Sequence, residues 1–82
     1  MSKEKWLQEQ IAMRESIGSR LIIARHAAGE TQTSLAEMLN VSYQMVQQWE
    51  RGTRIPKDET IYRLCCVLNA DPEWIKYGKK EN

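Results

Sequence analysis

The sequence predicts an all-α domain, and three observations support this prediction. With 82 residues, 41% hydrophobic and 28% charged, the chain has the size and composition of one ordinary globular domain. Apolar side chains recur at helical spacing, and no segment shows the period of two that is typical of a half-buried strand. Turn-forming residues divide these segments into short units, at Gly18, Gly29, Asn40, Gly52, Pro56, Pro72 and Gly78.

Residues 1–15 are predicted to be a helical extension ahead of the main domain. Within it, residues 3–14 form an amphipathic helix with Trp6, Leu7 and Ile11 toward one side. The open alternatives are a frayed arm, a dimerisation element and a flap over the domain's own core. Packing on the domain or on a partner is favoured, because these apolar side chains would otherwise be exposed together.

The next predicted helix covers residues 17–28. Ile17, Leu21, Ala24 and Ala28 recur on one continuous face of it, and Gly29 is the expected C-cap. Gly18 either separates this helix from the first or only weakens it locally.

Two short helices follow, Gln32–Leu39 and Tyr43–Arg51. Thr31 and Ser42 are the residue types that cap a helix N-terminus, and Asn40 tolerates the left-handed conformation of a tight turn. The residues expected inside are Leu35, Ala36, Leu39, Val46 and Trp49.

Two further helices complete the predicted domain, and the tail 79–82 is expected to fray. Asp58 is expected to cap a helix that ends near Leu68, and the run Asp71, Pro72, Glu73 opens a last helix. The expected inward residues are Ile61, Leu64, Cys65, Leu68, Trp74 and Ile75.

The composition excludes several function classes. Cys65 and Cys66 are adjacent and far from the single histidine, His26, so we expect two reduced, packed thiols and no metal site. The sequence offers no catalytic triad, phosphate loop or paired carboxylates, so no enzyme activity and no cofactor are expected. Without a secretory signal or a membrane-length apolar run, the predicted location is the cytoplasm, on the nucleoid when bound to DNA.

The pair of helices between residues 32 and 51 carries the most specific signal. Ala36 is small, as two helices that cross at a steep angle require at their contact. A short turn around Asn40 follows, and Val41 and Val46 supply β-branched packing. Each feature alone is weak, but together they agree in one register.

Residues 16–78 resemble the phage Cro and repressor-type (XRE-like) helix-turn-helix family. The residues that carry the resemblance are IGSRLIIARHAAGETQTSLAEMLNVSYQMVQQWERG, Pro56 and LNADPEWIKYG. The resemblance implies a five-helix lambda-repressor-like fold and a regulator, most similar to a Cro-like repressor. Most members bind two-fold symmetric double-stranded DNA operators as homodimers, and no small-molecule effector is expected.

The family pattern also implies roles for individual residues. An ion pair between Arg25 and Glu50 would join the first and third family helices. Base edges would be reached by Tyr43, Gln44, Gln47 and Gln48. Phosphates would be contacted by Gln32, Ser42, Arg51, Arg54 and Lys57.

The chemistry of the reading helix agrees with this assignment. A glutamine amide presents a donor and an acceptor that match adenine N6 and N7. The net charge is only +1, so phosphate attraction depends on the local cluster Arg51, Arg54 and Lys57. Two other functions stay open, namely a DNA-binding antitoxin of a toxin–antitoxin pair and a protein-interaction module on the same fold.

Overall fold

A computed structural model describes residues 17–78 of the chain. It contains five helices and no strand, which confirms the predicted all-α class. The described part of α1 covers residues 17–27; the others are α2 (Gln32–Leu39), α3 (Tyr43–Arg51), α4 (Asp58–Leu68) and α5 (Pro72–Tyr77). The predicted N-terminal extension and the tail 79–82 lie outside the described residues.

The helix ends follow the capping chemistry of the sequence. Thr31 and Ser34 form a reciprocal capping box at the start of α2, and Ser42 Oγ accepts from the Met45 amide at the start of α3. Asn40 has φ 59°, so it ends α2 in the left-handed conformation that the turn requires. These local signals set the lengths of the two short helices.

The start of α4 differs from the prediction. Lys57 is the N-cap and has extended backbone, while Asp58 is the first helical residue. Asp58 therefore does not cap the helix. Its carboxylate lies in the first turn, where its negative charge interacts favourably with the helix dipole. It also forms an ion pair with Lys76 Nζ of α5 at 3.2 Å.

One apolar core holds the helices together. All five helices contribute buried residues to it, namely Leu21, Ala24, Leu35, Ala36, Leu39, Val46, Trp49, Ile61, Leu64, Cys65, Leu68 and Ile75. Trp74 is half-buried against this cluster rather than enclosed in it. The predicted inward faces of α2, α3 and α4 are confirmed.

Two predicted interior positions are wrong. Ala28 is exposed, because α1 ends at residue 27 and Gly29 turns the chain with φ 74°. Cys66 is exposed while Cys65 is buried, since neighbouring side chains on a helix point about 100° apart.

Gly18 has helical backbone in the described part of α1, and whether it separates α1 from the helix predicted before it lies outside the described residues. A Cβ atom at this position would stand 2.4 Å from the Glu50 carbonyl oxygen and 2.9 Å from that of Trp49. The backbones of α1 and α3 therefore touch here, which only glycine allows.

Two arginines bind carbonyl groups at helix ends. Arg20 Nε donates to the Ile75 carbonyl at 2.8 Å and its Nη2 to that of Lys76 at 3.2 Å, which attaches α5 to α1. Burial lowers the pKa of Arg20. Arg63 Nη2 binds the Leu39 carbonyl and so attaches the end of α2 to α4.

Within residues 17–78 no helix is long and apolar enough to cross a membrane.

Candidate nucleic-acid interface

α2 and α3 form a compact pair around a short turn. Ala36 is 4% exposed and packs in the core, and its carbonyl accepts from the Val41 amide at 3.0 Å across the turn. A small side chain here lets the two helices approach closely. The pair is attached to the body through Leu35, Leu39, Val46 and Trp49, all at most 5% exposed.

α3 divides into two faces along its whole length. At about 100° per residue, its core-facing and half-buried residues Met45, Val46, Trp49 and Glu50 fall within an arc of about 140°. The opposite arc, also about 140° wide, carries the half-buried Gln47 and four exposed residues, Tyr43, Gln44, Gln48 and Arg51. One face fixes the helix to the domain, and the other carries a row of amides, a phenol and a guanidinium.

The exposed face of α3 has few internal contacts. Gln47 is half-buried, and its Nε2 donates to the Tyr43 hydroxyl at 3.1 Å, one turn away. Within residues 17–78, the side chains of Gln44 and Gln48 form no hydrogen bond with the protein. Their donors and acceptors are available to a ligand.

The start of α2 is joined to α1 and α3 by a buried network, called here the Arg25–Glu50–Gln32 network. Arg25 Nε donates to Glu50 Oε2 at 2.7 Å, and Arg25 Nη2 to Oε1 at 3.1 Å. Gln32 Nε2 donates to the same Oε1 at 2.9 Å, and Arg25 Nη1 donates to the Glu30 carbonyl at 3.0 Å. Arg25 and Glu50 are 9% and 8% exposed, so the carboxylate is desolvated and satisfied by three N–H donors.

The cationic side chains follow the end of α3. Arg51, Arg54 and Lys57 are all exposed. The Gln48 carbonyl accepts hydrogen bonds from the backbone N–H groups of Thr53 and Arg54, which folds this loop back on the helix. Arg54 Nη1 lies 3.3 Å from Met45 Sδ, so this exposed guanidinium lies beside α3.

Sequence reasoning missed two contacts of this surface. The link from Glu50 to Gln32 spans 18 positions, and the contact of Arg54 with Met45 spans nine. Neither separation leaves a periodic signal in the sequence. Met45 itself is half-buried against the core, so it flanks the turn and supports Arg54.

Within residues 17–78, no cluster of His, Cys, Asp and Glu side chains could hold a metal ion. Burial, followed by the charge of Asp71 and the neighbouring Cys66, raises the pKa of Cys65 to about 11, which makes it a protonated, unreactive thiol at neutral pH. An apolar groove of about 390 Å³ lies between α1 and the α4–α5 junction, with Ile23 and Trp74 in its wall. It includes no residue of α2 or α3.

The family model described as "Helix-turn-helix" matches residues 21–75, two thirds of the chain. The chain belongs to this helix-turn-helix family, of the Cro and repressor type, which is not a family of enzymes. Among its curated relatives is the HTH-type transcriptional regulator DicA of Escherichia coli (strain K12), 38% identical over 66 residues, 80% of this chain and 49% of that protein.

A second relative is the HTH-type transcriptional regulator ImmR of Bacillus subtilis (strain 168). It is 36% identical over 66 residues, 80% of this chain and 51% of that protein. The chain thus aligns with about half the length of each of these regulators.

Proposed function

We propose that this chain is a sequence-specific DNA-binding transcriptional regulator that places α3 in the major groove. The observation that carries the proposal is the two-faced α3, whose buried arc fixes it to the domain while its outer arc presents amides, a phenol and a guanidinium. A major groove about 12 Å wide admits an α-helix of this kind. The names of both relatives, each a transcriptional regulator, support the proposal.

Base edges are read by the exposed face of α3. The side chains of Gln44 and Gln48 form no hydrogen bond to any other residue in the described part of the chain, and their donors and acceptors suit adenine N6 and N7. Tyr43 packs on a thymine methyl or binds a phosphate through its hydroxyl, and Gln47 contacts an adjacent base or the backbone. Sites that contain A·T pairs are therefore the preferred targets.

Phosphates are contacted around this face. Gln32 and Ser42 lie at the starts of α2 and α3, where helix N-termini attract anions. Arg51, Arg54 and Lys57 supply charge at the other end of α3. These contacts set affinity and register on the duplex, while sequence preference comes from the bases.

The active species is a homodimer on a two-fold symmetric operator, and residues 16–78 form its DNA-binding domain. Two recognition helices lie in successive major grooves about 34 Å apart. The dimer contact involves residues 72–78, and repression follows when the bound dimer blocks polymerase. Sedimentation at micromolar concentration, with and without operator DNA, tests this arrangement; a monomer under both conditions would contradict it.

Selection of binding sites from random duplex DNA tests the function as a whole. We expect a symmetric site with two half-sites one helical turn apart. If no sequence is enriched, and no salt-dependent binding to any duplex occurs, the protein-interaction module becomes the better assignment.

Two alanine variants then separate base contacts from phosphate contacts. Gln44→Ala is expected to cost about 1–3 kcal/mol on the selected site and little on scrambled DNA. Arg54→Ala is expected to weaken binding to both and to lower the salt slope by about one unit. Equal losses for Gln44→Ala on both duplexes, or an unchanged slope for Arg54→Ala, would contradict these roles.

A further inference from the structure

We propose that Glu50 is a positioning residue for Gln32. Its carboxylate holds the Gln32 carboxamide so that one Nε2–H remains directed at a DNA phosphate. This inference rests on the DNA-binding function proposed above and names how one of its phosphate contacts is prepared before DNA arrives.

The first step is that the Glu50 carboxylate is itself immobile. Its side chain is 4% exposed, and the guanidinium of Arg25 binds both oxygens in a fork. Arg25 is fixed in turn by the Glu30 carbonyl in the turn between α1 and α2. The position of Oε1 is therefore set by the backbone of two helices and a turn.

The second step concerns the orientation of the Gln32 amide. An ionised carboxylate can only accept hydrogen bonds, and a glutamine offers two N–H donors on Nε2. Turning the amide would place its oxygen against Glu50 Oε1 and cost the 2.9 Å hydrogen bond. One N–H is therefore bound to Glu50, and the second points away from it.

The third step is the setting of that second N–H. Gln32 is the first residue of α2. The Thr31 side chain and carbonyl accept from the amides of Ser34 and Leu35, both at 2.9 Å. The amides of residues 32 and 33, at the helix start, have no partner within residues 17–78. These amides and the Gln32 Nε2–H together suit an anion.

The charges of the network favour the same ligand. Arg25 and Glu50 neutralise each other, so a phosphate near Gln32 does not meet an isolated negative charge. Holding a side chain in its bound geometry saves the ordering cost of binding, about 0.5–1.5 kcal/mol for a flexible residue. We therefore expect Glu50 to contribute roughly two- to tenfold to DNA affinity through Gln32.

NMR of the free protein tests the positioning without DNA. The Gln32 side-chain amide should show a wider separation of its two proton shifts, and slower exchange of one proton, than the amides of Gln44 and Gln48, which serve as internal controls. Glu50→Asp keeps the charge opposite Arg25 but withdraws the carboxylate by one methylene, so this signature should disappear. A Gln32 amide in the unmodified protein that behaves like that of Gln44 would overturn the proposal.

A double-mutant cycle on the duplex recovered by site selection tests the consequence for binding. Glu50→Asp should weaken binding two- to tenfold in the native background and leave it unchanged in the Q32M background. Equal losses in both backgrounds would show that Glu50 acts only on the fold. If the unmodified chain binds no DNA, the proposed function fails and the phosphate role of Gln32 with it, while the NMR comparison still decides whether Glu50 orients the amide.

Discussion

The start of α2 and the outer face of α3 lie on the same helix pair, yet they are built in opposite ways. At the start of α2, the Gln32 side chain is tied to Glu50, and the backbone is closed by a capping box. On α3, Gln44 and Gln48 extend into solvent from a helix whose other side is packed in the core. The side-chain geometry of the first region is fixed by hydrogen bonds, whereas Gln44 and Gln48 of the second have no side-chain hydrogen bond to another residue of the described range 17–78.

The difference matches what each region would meet on DNA. Phosphates recur with the same spacing in every sequence, so a fixed donor can serve all of them. Bases differ, and an amide that is not committed to a neighbour can present its donor or its acceptor. In the proposed complex, the fixed Gln32 would contribute to affinity and the exposed face of α3 to specificity.

The largest effect is expected from breaking the fixed region. Arg25→Met should lower the free energy of unfolding by about 3–5 kcal/mol, because the buried Glu50 carboxylate loses its ionic partner. Urea denaturation measures this. Arg51→Met is the matched control, since Arg51 is exposed on α3, and should change stability by less than about 0.5 kcal/mol. Similar losses for both arginines would remove the contrast between the two regions.

A smaller loss is expected where α1 touches α3. Gly18→Ala places a Cβ atom against the carbonyls of Trp49 and Glu50, and such overpacking costs about 1–3 kcal/mol. Ser19→Ala, on an exposed position of the same helix, controls for the gain in helix propensity. Thermal unfolding of the pair measures the difference; a Gly18→Ala protein as stable as native would contradict the close contact.

The two adjacent cysteines of α4 differ in exposure, since Cys65 is buried and Cys66 is exposed. At pH 8, iodoacetamide should modify Cys66 and leave Cys65 unmodified in the folded protein, because Cys65 is buried and its pKa is raised to about 11. Mass spectrometry should find one label on the native chain and none on the C66S variant. A label on C66S without denaturant would contradict the burial.

The raised pKa of Cys65 also gives stability a pH dependence. Between the ordinary thiol value of 9.0 and about 11, the unfolded chain releases a proton that the folded chain retains. The contribution of this thiol to stability is thus complete below pH 9 and declines as pH rises toward 11. A Cys65→Ala variant should show a smaller decline over this range in otherwise identical urea titrations.

The smallest effect on stability is expected from substitutions on the exposed face of α3. Gln44→Ala and Gln48→Ala should each leave the free energy of unfolding within about 0.5 kcal/mol of native, because neither side chain has a hydrogen bond within residues 17–78. Urea denaturation under the conditions used for Arg25→Met allows direct comparison. Losses above about 1 kcal/mol would mean that these side chains support the fold.

The sequence predicted the parts of this structure that depend on local chemistry. Thr31, Asn40 and Ser42 are residues whose side chains or backbone preferences determine a helix end by themselves. The inward faces of α2, α3 and α4 follow from helical periodicity. Lys57 and Asp58 show the limit of this reasoning, since both an N-cap and a first-turn acid are acceptable roles for aspartate.

What the sequence could not predict depends on tertiary contact. The direction of the Gln32 amide is decided by a carboxylate on another helix, and the need for glycine at position 18 is decided by the carbonyls of α3. The exposure of Cys66 required knowing which side of α4 meets the core. The roles of Tyr43, Gln44, Gln47 and Gln48 toward bases remain predictions.

The contact at Gly18 has a consequence for how this protein can diverge. Main chain meets main chain there, so at this point the two helices lie too close to leave room for a side chain. Outer residues of α3 can then be exchanged over generations while the helix axis stays in place. If α3 reads DNA as proposed, substitutions on its outer face are enough to change the target sequence.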